Sequence, residues 1–305
     1  MSEIDLRELT VEEIVEKIEN MEIRGAALIG RAGALALKKA VDHYEGSELD
    51  DFKSYVDEQK ERILNTRPTA VTLYNALDHV LRVDIDYIED AKKKISERAD
   101  DFVKRSNRAA EKIAKYGGKR INDGDTILTH CNSSMALGAI KYAWDNGKKI
   151  DVIATESRPK KQGYITVREL AEHGIPVTLI VDSAVRYFMP VIDKVYIGAD
   201  TIASNGAVIN KIGTSQVALC AHESRVPVSV CAETYKFSRE TAFGELVEIE
   251  ERDPREIADP GEFPDVEIRN PVFDATPEDY IDSIVTEEGI ISPSSAYRII
   301  KEMEE

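Results

Sequence analysis

Apolar positions along this chain follow two rhythms, and the change comes near residue 118. In the first part they recur at helical spacing. Val11, Ile14, Val15 and Ile18 fall at i, i+3, i+4 and i+7, with Thr10 placed as an N-cap, so a helix is expected to start at residue 11. The Ala- and Leu-rich run Ala32 to Val41, then Leu49 to Leu64 and Ala70 to Val80, continue the pattern. A long charged run from Val83 to Tyr116 has few helix breakers, and Gly117-Gly118 is expected to end it. These elements predict an N-terminal helical domain over 1–118.

From Thr126 the rhythm becomes that of short apolar strands: Ile127-Leu128, Ile150 to Ala154, Val177 to Val181, Val195 to Ile197 and Val228 to Cys231. Helical patterns such as Tyr164 to His173 and Ser215 to His222 lie between them. Strand–helix–strand alternation predicts a Rossmann-like, doubly wound parallel sheet with helices on both faces, an α/β domain over 119–305. The stretch from Glu245 to Arg269 is acidic, proline-containing and aperiodic, and reads as an excursion. Order resumes at Asn270 to Asp274, and a strand around Ile284-Val285 and a helix near Pro293 close the chain.

In such sheets ligands sit outside the carboxyl ends of the strands. Polar residues there are the candidates for chemistry: Cys131, Glu156 to Arg158, Asp182-Ser183, Asp200 and Glu233 to Lys236. Thr129-His130-Cys131-Asn132-Ser133-Ser134 leads directly into an alanine-rich helical pattern beginning at Met135. A cysteine beside a helix N-terminus is expected to feel a field that favours thiolate. A buried, inert cysteine is the alternative, and the second polar strand end at Gly198-Ala199-Asp200 argues against it.

The formal charge of −17 excludes general binding to nucleic acid and gives local cations more meaning. Arg24 precedes Gly25-Ala26-Ala27 at a helix start, a candidate phosphate cradle. Arg67 precedes Pro68 at another helix start, Arg158 and Lys236 each follow a strand, and Lys211 follows the Asn205-Gly206 hairpin-type turn and precedes a helix. Arg24, Arg67, Arg158, Lys211 and Lys236 around one Cys and one Asp suit a small, doubly anionic substrate undergoing proton transfer. GxGxxG and GxxxxGK[ST] motifs are absent. The three cysteines, Cys131, Cys220 and Cys231, are widely spaced and lack zinc-site spacing, so a reducing cytoplasm without a structural metal or other cofactor is expected. No apolar run is long enough to span a membrane, and the acidic N-terminus is unlike a signal peptide.

Seven motifs, in order, resemble the signatures of one superfamily: Arg24-Gly25-Ala26, Arg67-Pro68-Thr69-Ala70-Val71, Thr129-His130-Cys131-Asn132, Glu156-Ser157-Arg158-Pro159 with Gln162-Gly163, Gly198-Ala199-Asp200, Asn210-Lys211-Ile212-Gly213-Thr214 and Asn270-Pro271-Val272-Phe273-Asp274. That superfamily contains methylthioribose-1-phosphate isomerases, ribose-1,5-bisphosphate isomerases and the regulatory subunits of a translation-initiation exchange factor. The archaeal ribose-1,5-bisphosphate isomerases are the most similar group, because Arg24-Gly25-Ala26 lacks the proline expected next in the methylthioribose enzymes. Ser157 departs from the commoner threonine.

This resemblance implies Cys131 and Asp200 as the catalytic pair. It implies a substrate site lined by Arg24, Gly25, Ala26, Ala27, Arg67, Ser133, Ser134, Met135, Asn210, Lys211 and Lys236, with Arg158 as an addition. The implied reaction turns α-D-ribose 1,5-bisphosphate into D-ribulose 1,5-bisphosphate, which would feed a ribulose-bisphosphate carboxylase in nucleoside salvage. A homo-oligomer of dimers, as a hexamer, is implied too. Methylthioribose-1-phosphate isomerisation and a non-enzymatic sugar-phosphate or nucleotide-binding role remain the alternatives.

Overall fold

The structure, a computed structural model, describes residues 5–243, 247 and 249–302. It divides into two compact units, 1–108 and 109–305. The first unit holds helices α1 (Val11–Glu19), α2 (Ala26–Asp42), α3 (Leu49–Leu64), α4 (Val71–Leu81) and most of α5 (Ile88–Arg120). Thr10 caps α1 in a reciprocal box: its hydroxyl accepts from Glu13 N–H while the Glu13 carboxylate accepts from Thr10 N–H at 2.7 Å. Small residues let α2 and α4 approach closely. A Cβ on Gly33 would lie 2.2 Å from Leu73 Cδ1, which only glycine avoids.

In the second unit the chain alternates β1 (Thr126–Thr129), α6 (Ser134–Asp145), β2 (Asp151–Thr155), α7 (Gly163–Glu172), β3 (Val177–Ile180), α8 (Val185–Phe188) and β4 (Lys194–Gly198). Then come β5 (Thr201–Ile202), β6 (Val208–Lys211), α9 (Thr214–Ser224), β7 (Val228–Cys231), β8 (Phe273–Thr276), β9 (Ser283–Thr286), β10 (Gly289–Ile291) and α10 (Ala296–Glu302). The main sheet runs β10-β9-β7-β4-β1-β2-β3 and is parallel except for the β9–β10 hairpin. Alternate residues of β4 serve opposite faces. Val195 and Ile197 join a core with Val217, Ala218 and Ala221 of α9 and Ile299 and Ile300 of α10. Tyr196 points the other way and donates its hydroxyl to Gly117 O at 3.0 Å.

Two features differ from expectation. Helix α5 does not end at Gly117-Gly118 but continues to Arg120. These glycines answer to packing: a Cβ on Gly117 would meet Ala139 Cβ at 2.8 Å, and one on Gly118 would meet Ala139 O at 2.7 Å. Secondly, β5, β6 and β8 form a separate antiparallel sheet in the order β5-β6-β8. The Asn205-Gly206 turn closes its β5–β6 hairpin, with Gly206 at φ +83°.

Candidate active site

Adjacent parallel strands bring their carboxyl ends together. β4 pairs with β1, and β1 with β2, so the residues after Gly198, Thr129 and Thr155 emerge side by side. Cys131 lies two residues beyond β1 and Asp200 two beyond β4, both half-buried. Gly198 abuts Ser133, whose hydroxyl fills the space that any side chain at 198 would need. Ser133 is also the N-cap of α6, accepting from Ala136 N–H at 3.3 Å. Ser134 is exposed on the first turn, and Met135 is buried.

The backbone around Cys131 is held in an uncommon conformation. Cys131 (φ 67°), Ser157 (φ 58°) and Lys161 (φ 55°) are all left-handed non-glycine residues. Each such residue costs about 1–3 kcal/mol and persists only where its surroundings over-determine it. Here they do. Cys131 N–H donates to Ser157 Oγ at 2.8 Å, and Cys131 C=O accepts from Thr166 Oγ1 at 2.7 Å. Ser157 is fixed in turn by Asp182, whose two carboxylate oxygens accept from the N–H groups of Ser157 and Arg158, both at 2.7 Å.

Electrostatics at Cys131 overturn the expected thiolate. Burial pushes the thiol up to about 11, and the nearby Asp200 and Asp182 charges add to the rise. Lys211 opposes them, and its charge is the largest acting on the sulfur. Desolvation therefore outweighs the field of the α6 terminus, and Cys131 rests as a thiol. Cys231, wholly buried at the end of β7, is pushed up to about 12 for the same reason.

The second sheet delivers the rest. Asp200 N–H donates to Ile209 O at 3.0 Å, which ties the catalytic candidate to β6. Asn210 is buried and donates to Thr214 Oγ1 at 3.0 Å. Lys211 Nζ stands 4.8 Å from the centroid of the Phe273 ring, its cross-strand neighbour on β8. The α9 terminus is occupied by the protein itself, because Asp274 accepts from Gly213 N–H at 2.7 Å and Ser215 N–H at 3.1 Å.

Two candidate cations are otherwise engaged. Lys236 is buried and its ammonium lies 3.0 Å from Glu233, which is also fully buried. The exposed Arg158 donates its guanidinium to Ile257 O at 3.2 Å, while Lys160 and Arg252 both pair with Glu256 nearby.

In the first unit, Gly25 precedes α2 at φ 87° and gives it no side-chain cap, leaving the N–H groups of Ala26 and Ala27 at an uncapped terminus. Arg24 beside it is exposed. Arg67 is half-buried and directs a guanidinium nitrogen to Met21 Sδ at 2.8 Å, so it too lies against the turn between α1 and α2.

Residues 22–293 match the model of the initiation factor 2 subunit family. The chain belongs to that family. Among members of the initiation factor 2 subunit family, it is 54% identical over 292 residues to the ribose 1,5-bisphosphate isomerase of Archaeoglobus fulgidus, covering 95% of this chain and 92% of that protein. It is 37% identical to the methylthioribose-1-phosphate isomerase of Maridesulfovibrio salexigens, over 97% of this chain and 90% of that one. The crystal structure of translation initiation factor eIF-2B from Pyrococcus horikoshii OT3 superposes with a TM-score of 0.81 at 33% identity, covering 93% and 97% of the two chains.

In this member of the family, the roles of Thr166, His130, Thr155 and Ser157 emerge only in the fold. No local signal marks Thr166, whose partners are Cys131 and Asn132. Asp182 was visible as a polar strand end, but not as the clamp on Ser157. Among the described residues, no three His, Cys, Asp or Glu side chains cluster as metal ligands, and no helix is long and apolar enough to cross a membrane.

Proposed function

We propose that the chain is an aldose–ketose isomerase that converts α-D-ribose 1,5-bisphosphate to D-ribulose 1,5-bisphosphate. Its identity to the Archaeoglobus fulgidus enzyme carries this reading, and Cys131 and Asp200 at neighbouring strand ends supply the chemistry. Phosphate on the C1 oxygen blocks simple opening to a free aldehyde. An acid must protonate the ring oxygen as the C1–O bond breaks, and a base must take the C2 proton. The product of that step is a C1–C2 enol phosphate. A proton then returns to C1, and the C2 hydroxyl loses its own to become the ketone.

Cys131 and Asp200 hold one proton between them in this reading. At rest it lies on the thiol. Moving it to Asp200 produces the thiolate base and carboxylic acid that the first step needs. Lys211, which opposes the thiol's raised pKa, favours that redistribution. Ser133, Ser134, Met135, Asn210 and Lys211 line the sugar side of the site. By family resemblance Arg24, Gly25, Ala26, Ala27 and Arg67, at the uncapped start of α2, are phosphate-binding residues of the first unit, and Arg158 and Lys236 are those of the second unit once released from Ile257 and Glu233. The substrate is a small sugar bisphosphate, the setting is the cytoplasm, and the chain works as a homo-oligomer in which dimers assemble into a hexamer. A light-scattering mass of a single chain would remove the last point.

The deciding experiment incubates the protein with ribose 1,5-bisphosphate and, separately, methylthioribose 1-phosphate, and assays the ketose. Turnover of the bisphosphate alone is expected. Turnover of methylthioribose 1-phosphate in its place would transfer the assignment to that reaction. Binding of either sugar with turnover of neither would mark a binding subunit.

A further inference from the structure

His130 is buried, with both ring nitrogens engaged. Nε2 lies 2.9 Å from Ile212 O and Nδ1 lies 2.6 Å from Thr155 Oγ1. A carbonyl oxygen only accepts, so Nε2 carries the hydrogen. Burial lowers the pKa of the ring, so it is neutral and Nδ1 must accept from the Thr155 hydroxyl. Thr155 Oγ1, its proton committed, accepts from Ser157 Oγ at 3.3 Å, and Ser157 Oγ accepts from Cys131 N–H at 2.8 Å. Ser157 Oγ also lies 3.4 Å from Nδ1, so its proton faces both Thr155 Oγ1 and the ring nitrogen, each of them nearer the Ile212 end. The result is a relay of single polarity from Cys131 N–H to the carbonyl of Ile212.

The turn at the far end carries Lys211. Gly213, at φ +99°, rests on the imidazole so closely that a Cβ there would be 3.1 Å from the ring. Asp274 holds the same turn from its other side through Gly213 N–H. We propose that His130 is a positioning residue, whose fixed tautomer locks the Lys211–Gly213 turn onto the Cys131 strand end and so sets the cation's field at the sulfur. The inference rests on the isomerase reading only for its importance to turnover; the geometry and its test do not need a sugar phosphate.

The test is the rate of Cys131 alkylation by iodoacetamide at pH 8, read by mass spectrometry of the peptide that contains it. Lys211→Met should slow alkylation about tenfold, the effect of raising a thiol by one pKa unit. His130→Leu should slow it to a similar extent, and the double variant should be little slower than either. His130→Gln, which can both donate to Ile212 O and accept from Thr155, should restore the rate to within about threefold of the parent protein. Thr155→Val, which removes the donor to Nδ1 but keeps its shape, is the second variant should His130→Leu fail to fold, and it should also slow the reaction. Unchanged or faster alkylation in His130→Leu or Thr155→Val, full additivity with Lys211→Met, or no rescue by Gln would each overturn the proposal. Failure of the parent protein to isomerise ribose 1,5-bisphosphate would overturn the isomerase reading and leave this result standing.

Discussion

Ser133 and Gly198 touch so closely that a Cβ at position 198 would lie 2.3 Å from Ser133 Oγ and 2.6 Å from Ser133 Cβ. The cap of α6 and the end of β4 can therefore meet only with glycine at 198. Gly198→Ala should push Ser133 off the α6 terminus, which costs about 1 kcal/mol for the cap alone, with overpacking added. Turnover should fall much further than thermal stability suggests, because Cys131 and Asp200 flank the contact. Parallel measurement of kcat and Tm checks this, and a Gly198→Ala protein of normal kcat refutes it.

The raised pKa of Cys131 predicts how its reactivity depends on pH. Only the thiolate is alkylated, and the thiol titrates at about 11. Alkylation should climb about tenfold per pH unit from 7 to 10 without levelling. A plateau below pH 9 would mean that the thiolate is already present at rest. Cys131→Ser should abolish turnover with the fold intact, whereas Cys220→Ala should affect stability alone.

Asp200→Asn tests the second half of the pair. An amide fills the same space but cannot serve as the acid, so KM should stay within a few-fold while kcat falls by about 10²–10⁴. A raised KM with normal kcat would make Asp200 a substrate-orienting residue.

Lys236 and Glu233 are paired inside the protein, so Lys236→Met should do more than weaken substrate binding. It strands a buried carboxylate, and a loss of about 3–5 kcal/mol is expected. Adding Glu233→Gln should restore much of that stability. Lys211→Met, by contrast, should alter kinetics with little change in Tm. Equal destabilisation by Lys211→Met and Lys236→Met in denaturant titrations would contradict the distinction.

His79 makes the first unit sensitive to acid. Burial, with Arg98 as the largest of the charges acting on it, lowers its pKa from 6.5 to about 4. The unfolded chain then binds a proton that the folded one refuses between those values. Stability from this group is fully present above pH 6.5 and is lost as pH falls toward 4, amounting to about 2 kcal/mol once partial exposure is allowed for. His79→Gln should flatten that part of the stability–pH curve, and an unaltered slope would point to other groups.

The parallel sheet was legible because its strands are short apolar runs that end in polar residues, and its helices carry one apolar face. Cys131 and Asp200 could be found for that reason. The second sheet was not legible: β5 has only two residues, and β6 ends in Asn210-Lys211, which reads as loop. Gly117-Gly118 misled because sequence does not distinguish a glycine that breaks a helix from one that lets another helix approach. The protonation of Cys131 was beyond local reasoning, since its burial and the charges of Lys211, Asp200 and Asp182 come together only in the fold.

The small antiparallel sheet divides labour within the second unit. Cys131 and Asp200 extend from strands of the large sheet, while Lys211 belongs to β6, whose outer partner β8 follows directly on the long acidic excursion. Lengthening or reshaping that excursion would shift β8, and through it Lys211 and the Asp200 N–H bond to Ile209 O, while Cys131, held by Ser157 and Thr166, would stay in place. Changes in the segment leading into Phe273 should therefore alter the distance between Lys211 and Cys131 before they alter the large parallel sheet.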